Sequence, residues 1–167
     1  MRTLLILRHA KSSWSNSDMA DHDRPLKRRG RRDAVRMGQL LLARNLAPQL
    51  IVSSTAKRAR RTAKLTADAL AYEGEIVLEH DLYHAGPTGY IRVLRDIDDR
   101  YQRVMAVGHN PGLEVLLEVL TGAAEWLPTA ALAHVELPVD SWEEVREYIG
   151  GELVDLWTPK QIKAASR

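Results

Sequence analysis

The chain has 167 residues, of which 45% are hydrophobic and 28% charged, and its formal net charge is +2. These values are typical of one globular domain and not of a disordered chain. Cysteine is absent, which excludes disulfides, thiolate catalysis and cysteine-rich metal sites. The apolar run near the N-terminus is too short for a signal peptide, and no run approaches the roughly 20 apolar residues of a membrane-spanning helix. We therefore expect a single cytoplasmic domain over residues 1–167, without membrane contact and of undetermined oligomeric state.

Apolar runs alternate with helical patterns along the chain, which predicts an α/β fold. Predicted strands lie at residues 3–7, 50–52, 76–78, 104–107, 131–137 and 152–157. Predicted helices lie at residues 27–45, 56–71, 88–97, from Pro111 to about Gly122, and, as a short one, at 141–147. Residues 10–25 are polar and irregular, so we expect a loop there. The pattern predicts a three-layer α/β/α sandwich with a mainly parallel central sheet.

Basic residues are concentrated in two stretches of the chain. They are Arg24, Lys27, Arg28, Arg29, Arg31 and Arg32 in one, and Lys57, Arg58, Arg60 and Arg61 in the other. Each stretch is either a solvated helix face or an electropositive surface for an anionic substrate or nucleic acid. Aromatic residues are not interleaved with them, which argues against a base-stacking surface. Nucleic acid is therefore the weaker alternative, and the sequence leaves open whether the stretch 24–32 steers substrate.

Residues suited to phosphate follow three of the predicted strands. In chain order they are Arg8, His9, Ser53, Arg58, His109 and Asn110. The carboxyl ends of parallel neighbouring strands form the crevice where α/β proteins bind ligands, so we expect these segments to converge. Guanidinium groups fork onto phosphate oxygens, and an imidazole can act as a nucleophile. Backbone amides at the start of the Pro111 helix would add positive potential.

Several segments together resemble the histidine phosphatase (phosphoglycerate mutase-like) superfamily, and most closely its small SixA-type phosphohistidine phosphatase branch. The resemblance rests on Leu7-Arg8-His9-Ala10, Leu26 with Gly30, Ser53-Ser54, Lys57-Arg58-Ala59, Thr62-Ala63 and Gly108-His109-Asn110-Pro111-Gly112. It covers nearly the whole chain and implies a phosphoglycerate mutase-like fold. One departure from the family pattern is Thr55, where the family usually has proline.

The resemblance implies a role for each of four residues. His9 is the expected nucleophile, and Arg8, Arg58 and His109 are expected to hold the phosphoryl oxygens. Water would then release phosphate from the phosphohistidine on His9. No metal or organic cofactor is implied. A metal site on the two histidines is disfavoured by the flanking arginines, which repel a cation and attract phosphate.

The group that protonates the leaving group has no clean match in this chain. Larger family members use a carboxylate after the third strand, and the candidates here by position are His84, Asp81 and Glu79. The alternative interpretation of His84 is a structural role. A missing acid favours a substrate whose leaving group departs easily, such as phosphohistidine or another phosphoramidate on a protein. An open pocket without a large lid insertion favours a protein side chain as well.

The predicted function is therefore a metal-independent phosphatase that hydrolyses phosphohistidine on a protein through a covalent intermediate on His9. One alternative is a phosphomonoesterase for a small phosphorylated metabolite. Another is a non-catalytic phosphate-binding regulatory module, against which the presence of His9 argues. Ser53 and Asn110 are either phosphate contacts or turn and capping groups. Trp14 either lines the mouth of the site or packs within its loop.

Overall fold

A six-stranded sheet forms the centre of the molecule. The computed structural model describes residues 1–165. The strands are β1 (Arg2–Arg8), β2 (Leu50–Ser54), β3 (Ile76–Glu79), β4 (Arg103–Gly108), β5 (Leu132–Leu137) and β6 (Glu152–Trp157). Their order across the sheet is β3-β2-β4-β1-β5-β6, and within the described residues only β5 runs against the other strands. The predicted strands and the mainly parallel sheet are confirmed.

Helices cover both faces of this sheet. They are α1 (Arg28–Ala43), α2 (Lys57–Ala69), α3 (Pro87–Arg95), α4 (Gly112–Thr121) and α5 (Pro159–Ala165). The buried side chains of α1 and α2 pack on one face, and those of α3 and α4 on the other. The three-layer α/β/α class predicted from the sequence is therefore confirmed.

The alternation of side chains along β1 shows how the sequence builds the two cores. Leu5 and Leu7 pack toward α1 and α2, whereas Leu4 and Ile6 pack toward α3 and α4. All four side chains are fully buried. Because successive side chains of a strand point to opposite faces, a strand covered on both sides must be apolar throughout. The apolar run near the N-terminus therefore indicates a strand inside the sheet that is covered on both faces.

Two helix predictions need correction. The short helix expected over residues 141–147 is a single 3₁₀ turn, Trp142–Glu144. Trp142 is fully buried, and its indole N–H donates to the Tyr101 carbonyl oxygen at 2.6 Å, so tertiary contacts fix this segment. Helix α5 was not predicted. The loop expected over residues 10–25 is present and contains a 3₁₀ turn, Asp21–Asp23.

The order of the strands creates a crevice between β1 and β4. These two strands are parallel neighbours, but the helix after β1 lies on one face of the sheet and the helix after β4 on the other. Such a point, where successive connections leave in opposite directions, is where open α/β sheets bind ligands. β2 pairs with β4 on its other side, so the ends of β1, β4 and β2 lie side by side.

Strands from residue 2 to residue 157 belong to this one sheet. One domain over residues 1–167 stays a prediction, and residues 166–167 of that range lie outside the described part. Within residues 1–165, no helix has the length and apolar character needed to cross a membrane.

Candidate active site

A cavity of about 560 Å³ lies at the carboxyl ends of β1, β2 and β4. Its lining includes Arg8, His9, Arg58 and His109, which come from three separate segments of the chain. His9 and His109 are both buried, and their ring centroids are 5.1 Å apart. The four side chains expected to form a phosphate pocket therefore share one cavity, while their catalytic roles stay predictions.

The hydrogen bond of the His9 ring fixes its tautomer. Its Nδ1 lies 2.8 Å from the Ala10 carbonyl oxygen. A carbonyl oxygen only accepts, so Nδ1 carries the proton and donates it, and Nε2 keeps its lone pair. Burial lowers the pKa of His9 to about 4; the Ala10 hydrogen bond opposes this shift, and the charges of Arg58, Arg8 and Arg24 add to it. At neutral pH His9 is thus a neutral imidazole suited to nucleophilic attack.

An NMR titration of the free protein tests this state of His9. We expect the ¹⁵N shifts of the His9 ring to show a neutral, Nδ1-protonated imidazole from neutral pH down to about pH 5, with protonation near pH 4. His9→Gln identifies the resonance, and the urea-unfolded chain gives the reference, near pH 6.5. Since the unfolded chain binds more protons between these values, the free energy of unfolding should fall as the pH drops through this window. A His9 that titrates near its unfolded value contradicts the assignment.

His109 is held by contacts on both its backbone and its ring. Its backbone N–H donates to the Tyr90 hydroxyl at 3.0 Å, and its ring Nε2 lies 2.8 Å from Ser54 Oγ. A side chain at Gly108 would place its Cβ 2.0 Å from the Tyr90 hydroxyl oxygen, so glycine is needed for this approach. Burial lowers the pKa of His109 to about 3, and His9 and Arg58 add to the shift. The ring is neutral in the free site, and a bound dianion would favour its protonated form.

Arg58 is oriented by Asp21, a residue that the sequence analysis did not select. Arg58 Nη1 donates to the Asp21 backbone oxygen at 2.7 Å, and Nη2 donates to Asp21 Oδ2 at 3.0 Å. The same carboxylate accepts from the Tyr83 hydroxyl at 2.6 Å and from Arg24 Nη1 at 3.1 Å. Burial alone would raise the pKa of Asp21, but these hydrogen bonds and the Arg58 charge outweigh burial and hold the pKa well below its usual range. Asp21 is therefore ionised at neutral pH.

Replacement of Asp21 should lower turnover without weakening phosphate binding. In Asp21→Asn, Arg58 loses a charge-assisted contact while the cavity becomes more positive, so we expect kcat to fall about 10-fold and the inhibition constant of inorganic phosphate to stay equal or fall. Asp23→Asn is the matched control, because Asp23 lies in the same turn but is mostly exposed and outside the cavity lining. An unchanged kcat, or an Asp23→Asn variant equally impaired, contradicts this role.

Arg24 and Trp14 complete the entrance of the cavity. Arg24 is buried and bonds to Ser12 Oγ, so it is not part of a solvated face. Its guanidinium carbon lies 3.2 Å from the centroid of the Trp14 ring, which is 72% exposed. Trp14 thus both lines the mouth and packs within its loop. The remaining basic residues of the stretch 24–32 are exposed on or beside α1.

Two other residues predicted to contact phosphate have their polar groups engaged elsewhere. Ser53 is fully buried outside the cavity lining, and its hydroxyl donates to the Ser54 carbonyl oxygen at 2.9 Å. Adjacent strand residues face opposite sides of the sheet, so Ser54 and not Ser53 reaches His109. Asn110 lines the cavity, but its amide nitrogen donates to Glu114 Oε1 at 2.7 Å and to the Leu127 carbonyl oxygen at 2.8 Å. This amide braces the wall of the site and has no N–H left for phosphate.

Of the three candidates for proton donor, one lies at the cavity. His84 lines it, with a backbone φ of 62° and its ring centroid 3.9 Å from that of Tyr83. Asp81 and Glu79 are absent from the lining, and Glu79 lines a separate hollow beside Val77 and Val93. A positive φ is uncommon for a residue with a side chain and occurs often at functional sites.

Thr55, which stands where the family usually has proline, makes a side-chain contact with His22. Thr55 Oγ1 lies 2.9 Å from His22 Nε2, and the His22 ring packs edge-on against Tyr83.

Within residues 1–165, no group of three or more metal-ligating side chains is arranged to hold a metal ion. Metal-independent chemistry stays a prediction.

Comparisons with known proteins support this fold and identify the family of the chain. The histidine phosphatase superfamily (branch 1) matches residues 4–83. An uncharacterised chloroplastic protein of Arabidopsis thaliana is 34% identical over 157 residues, which cover 86% of this chain and 70% of that protein. An uncharacterised protein of Mycobacterium tuberculosis is 34% identical over 151 residues, which cover 83% and 91% of the two chains.

A solved structure extends the likeness to nearly the full length. A protein from Agrobacterium tumefaciens, assigned to the phosphohistidine phosphatase SixA, has a TM-score of 0.81 and 30% identity, with 95% of this chain and 98% of that chain covered. The chain belongs to the histidine phosphatase superfamily and has its phosphoglycerate mutase-like fold. Within that superfamily it is a member of the SixA-type branch.

Proposed function

We propose that this protein hydrolyses phosphohistidine, or another phosphoramidate, on a protein substrate. The observation that carries the proposal is the neutral Nε2 of His9, which shares one cavity with Arg8, Arg58 and His109. Membership of a phosphatase superfamily supports the reaction class, and the lack of a suitable acid supports the substrate class.

The first chemical step transfers the phosphoryl group to His9. The substrate ring enters with a proton on its other nitrogen. The Nε2 lone pair attacks phosphorus in line, the bond from phosphorus to the substrate nitrogen breaks with its electron pair on that nitrogen, and the ring leaves as neutral imidazole. Arg8 and Arg58 stabilise the charge on the non-bridging oxygens, and His109 donates to them once the dianion has favoured its protonation. In the second step water attacks phosphorus, the bond to His9 breaks, and inorganic phosphate leaves.

The described lining of the cavity offers no carboxylic acid that can donate a proton, and this favours a nitrogen leaving group. Asp21 is the one carboxylic acid among the described residues of the lining, and it is ionised at neutral pH, so it has no proton to donate. An alkoxide leaving group requires a donor, whereas a phosphoimidazole that carries a proton on its other ring nitrogen releases a stable neutral ring. We propose His84 as the group that assists departure, because it lines the cavity while Asp81 and Glu79 do not. A cytoplasmic location stays a prediction.

One panel of substrates tests the proposal. The wild-type protein is given a phosphohistidine peptide, several sugar phosphates and an aryl phosphate at equal concentration. We expect kcat/KM to be greatest for the phosphohistidine peptide and sugar phosphates to be poor substrates. Preferential hydrolysis of a sugar phosphate would instead support the small-metabolite phosphatase, and phosphate binding without turnover of any substrate would support the regulatory module.

A further inference from the structure

A basic groove lies beside the active site, between α2 and the outer strand β3. It has a volume of about 330 Å³, and its lining residues are Lys57, Arg60, Arg61, Lys64, Ile76 and Leu78. We call this surface the α2–β3 groove. Its four cations lie at positions that share one face of a helix, because residues three, four and seven apart lie above one another. None of these residues lines the catalytic cavity.

Most of the charge of this groove has no partner among residues 1–165. Among the described residues, Lys57, Arg60 and Arg61 are exposed and have no carboxylate within 4.0 Å, whereas Lys64 pairs with Asp68 at 2.6 Å. A row of like charges along one helix face repels itself, and an anionic ligand would relieve that repulsion. The groove is therefore suited to an acidic ligand.

The floor of the groove is an open strand edge with an exposed apolar side chain. β3 is the outermost strand at its end of the sheet, and Leu78 is 50% exposed. The Ile51 N–H donates to the Glu75 carbonyl oxygen, and in this parallel register the peptide groups of Ile76 and Leu78 point away from β2. An edge of this kind pairs with an extended peptide, and apolar pockets beside it accept side chains.

The position of the groove connects it with the catalytic cavity. α2 starts directly after β2, and its first turn sends Arg58 into the cavity while the neighbouring Lys57 lines the groove. Lys64 lies seven residues further, about 10 Å along the helix axis. The groove thus begins near the carboxyl ends of the strands, where the active site lies, and leads away from the active site.

We propose that the α2–β3 groove binds an acidic, extended segment of the phosphorylated protein substrate. This inference rests on the proposed function, because it assigns a docking surface to the protein that carries the phosphohistidine. A small metabolite would fill the cavity and leave the groove empty. A nucleic acid is disfavoured because the lining residues include no aromatic ring on which a base could stack.

Two phosphohistidine peptides test the docking. One carries glutamates on both sides of the phosphohistidine, and the other carries glutamines in their place. We expect the wild-type protein to hydrolyse the glutamate peptide with a kcat/KM about 10-fold higher at low salt, through a lower KM, and the advantage to shrink as salt rises. Arg60→Glu with Arg61→Glu should abolish the advantage and leave hydrolysis of the glutamine peptide unchanged.

A matched double variant separates docking from general attraction. Arg28→Glu with Arg32→Glu makes the same change of charge at two exposed positions of α1 outside the groove, and it should keep the preference for glutamate. Equal rates for the two peptides in the wild type, or equal loss in both double variants, would overturn the proposal.

The experiment distinguishes failure of the proposed function from failure of the docking proposal. If neither phosphohistidine peptide is hydrolysed, the proposed function is wrong. Fluorescence anisotropy of the unphosphorylated glutamate peptide then tests the groove directly. Binding that is lost in the Arg60→Glu, Arg61→Glu variant and kept in the α1 variant supports docking. Absent binding, or tighter binding of a single-stranded RNA of equal length, refutes it.

Discussion

His9→Ala should lose almost all turnover. We expect kcat to fall on the order of 10⁴-fold or more, on phosphohistidine peptide and aryl phosphate alike. The reason is that Nε2 of His9 supplies the bond to phosphorus, whereas Nε2 of His109, the other buried imidazole of the cavity, is engaged with Ser54 Oγ at 2.8 Å. The arginines remain in this variant, so inorganic phosphate should still bind.

Two further variants distinguish loss of the nucleophile from loss of the fold. His9→Gln keeps a side chain of similar length and should be equally inactive. His80→Ala removes an exposed imidazole that is outside the cavity lining, and it should retain wild-type activity. A His9→Ala variant with full turnover would remove His9 from the mechanism.

Arg58→Ala should have the second largest effect, a fall in kcat/KM of about 10²- to 10³-fold on aryl phosphate. Its guanidinium is buried at the first turn of α2 and is oriented by two hydrogen bonds to Asp21, so the cost of positioning it is met before substrate arrives. Arg8→Ala should behave similarly, because Arg8 is held by a 3.0 Å bond to the Leu127 carbonyl oxygen.

Arg58→Lys tests geometry against charge. Lysine restores the positive charge but not the planar fork, so we expect only partial recovery, with kcat/KM still about 10-fold below wild type. Arg32→Ala, an exposed position on α1, is the control and should be fully active. Equal losses in Arg58→Ala and Arg32→Ala would show that only overall charge matters.

The strands and the shared cavity follow from patterns that are local in the sequence. Each buried strand is an apolar run, and Arg8, His9 and His109 come directly after such runs. Parallel strands bring their carboxyl ends to one edge, so local patterns suffice to predict that these segments meet. The same reasoning placed Arg58, because α2 begins immediately after β2.

The contacts of Asp21 could not be predicted in this way. Asp21 is 37 residues from Arg58 and 62 residues from Tyr83 in the chain, and it lies in an irregular loop. Neither periodicity nor a motif specifies how such a loop folds back over the site. Ser53 was misplaced for a different reason, since a pair of adjacent serines does not show which of the two faces the cavity.

Helix α5 did have a local signal, which the sequence analysis overlooked. Thr158 and Gln161 form a reciprocal cap: the Thr158 N–H donates to Gln161 Oε1 at 3.1 Å, and the Gln161 N–H donates to Thr158 Oγ1 at 3.3 Å. A threonine followed three residues later by glutamine is the pattern of a capping box, and Pro159 at the first helical position supports it.

Trapping of the covalent intermediate tests the central claim most directly. The protein is mixed with ³²P-labelled phosphohistidine peptide, quenched in alkali within the first turnover, digested and analysed by mass spectrometry under conditions that preserve phosphohistidine. We predict one labelled peptide, with an acid-labile phosphoryl group on His9 and none in His9→Gln. Release of labelled phosphate without a labelled protein, or a label on another residue that survives in His9→Gln, would contradict the mechanism.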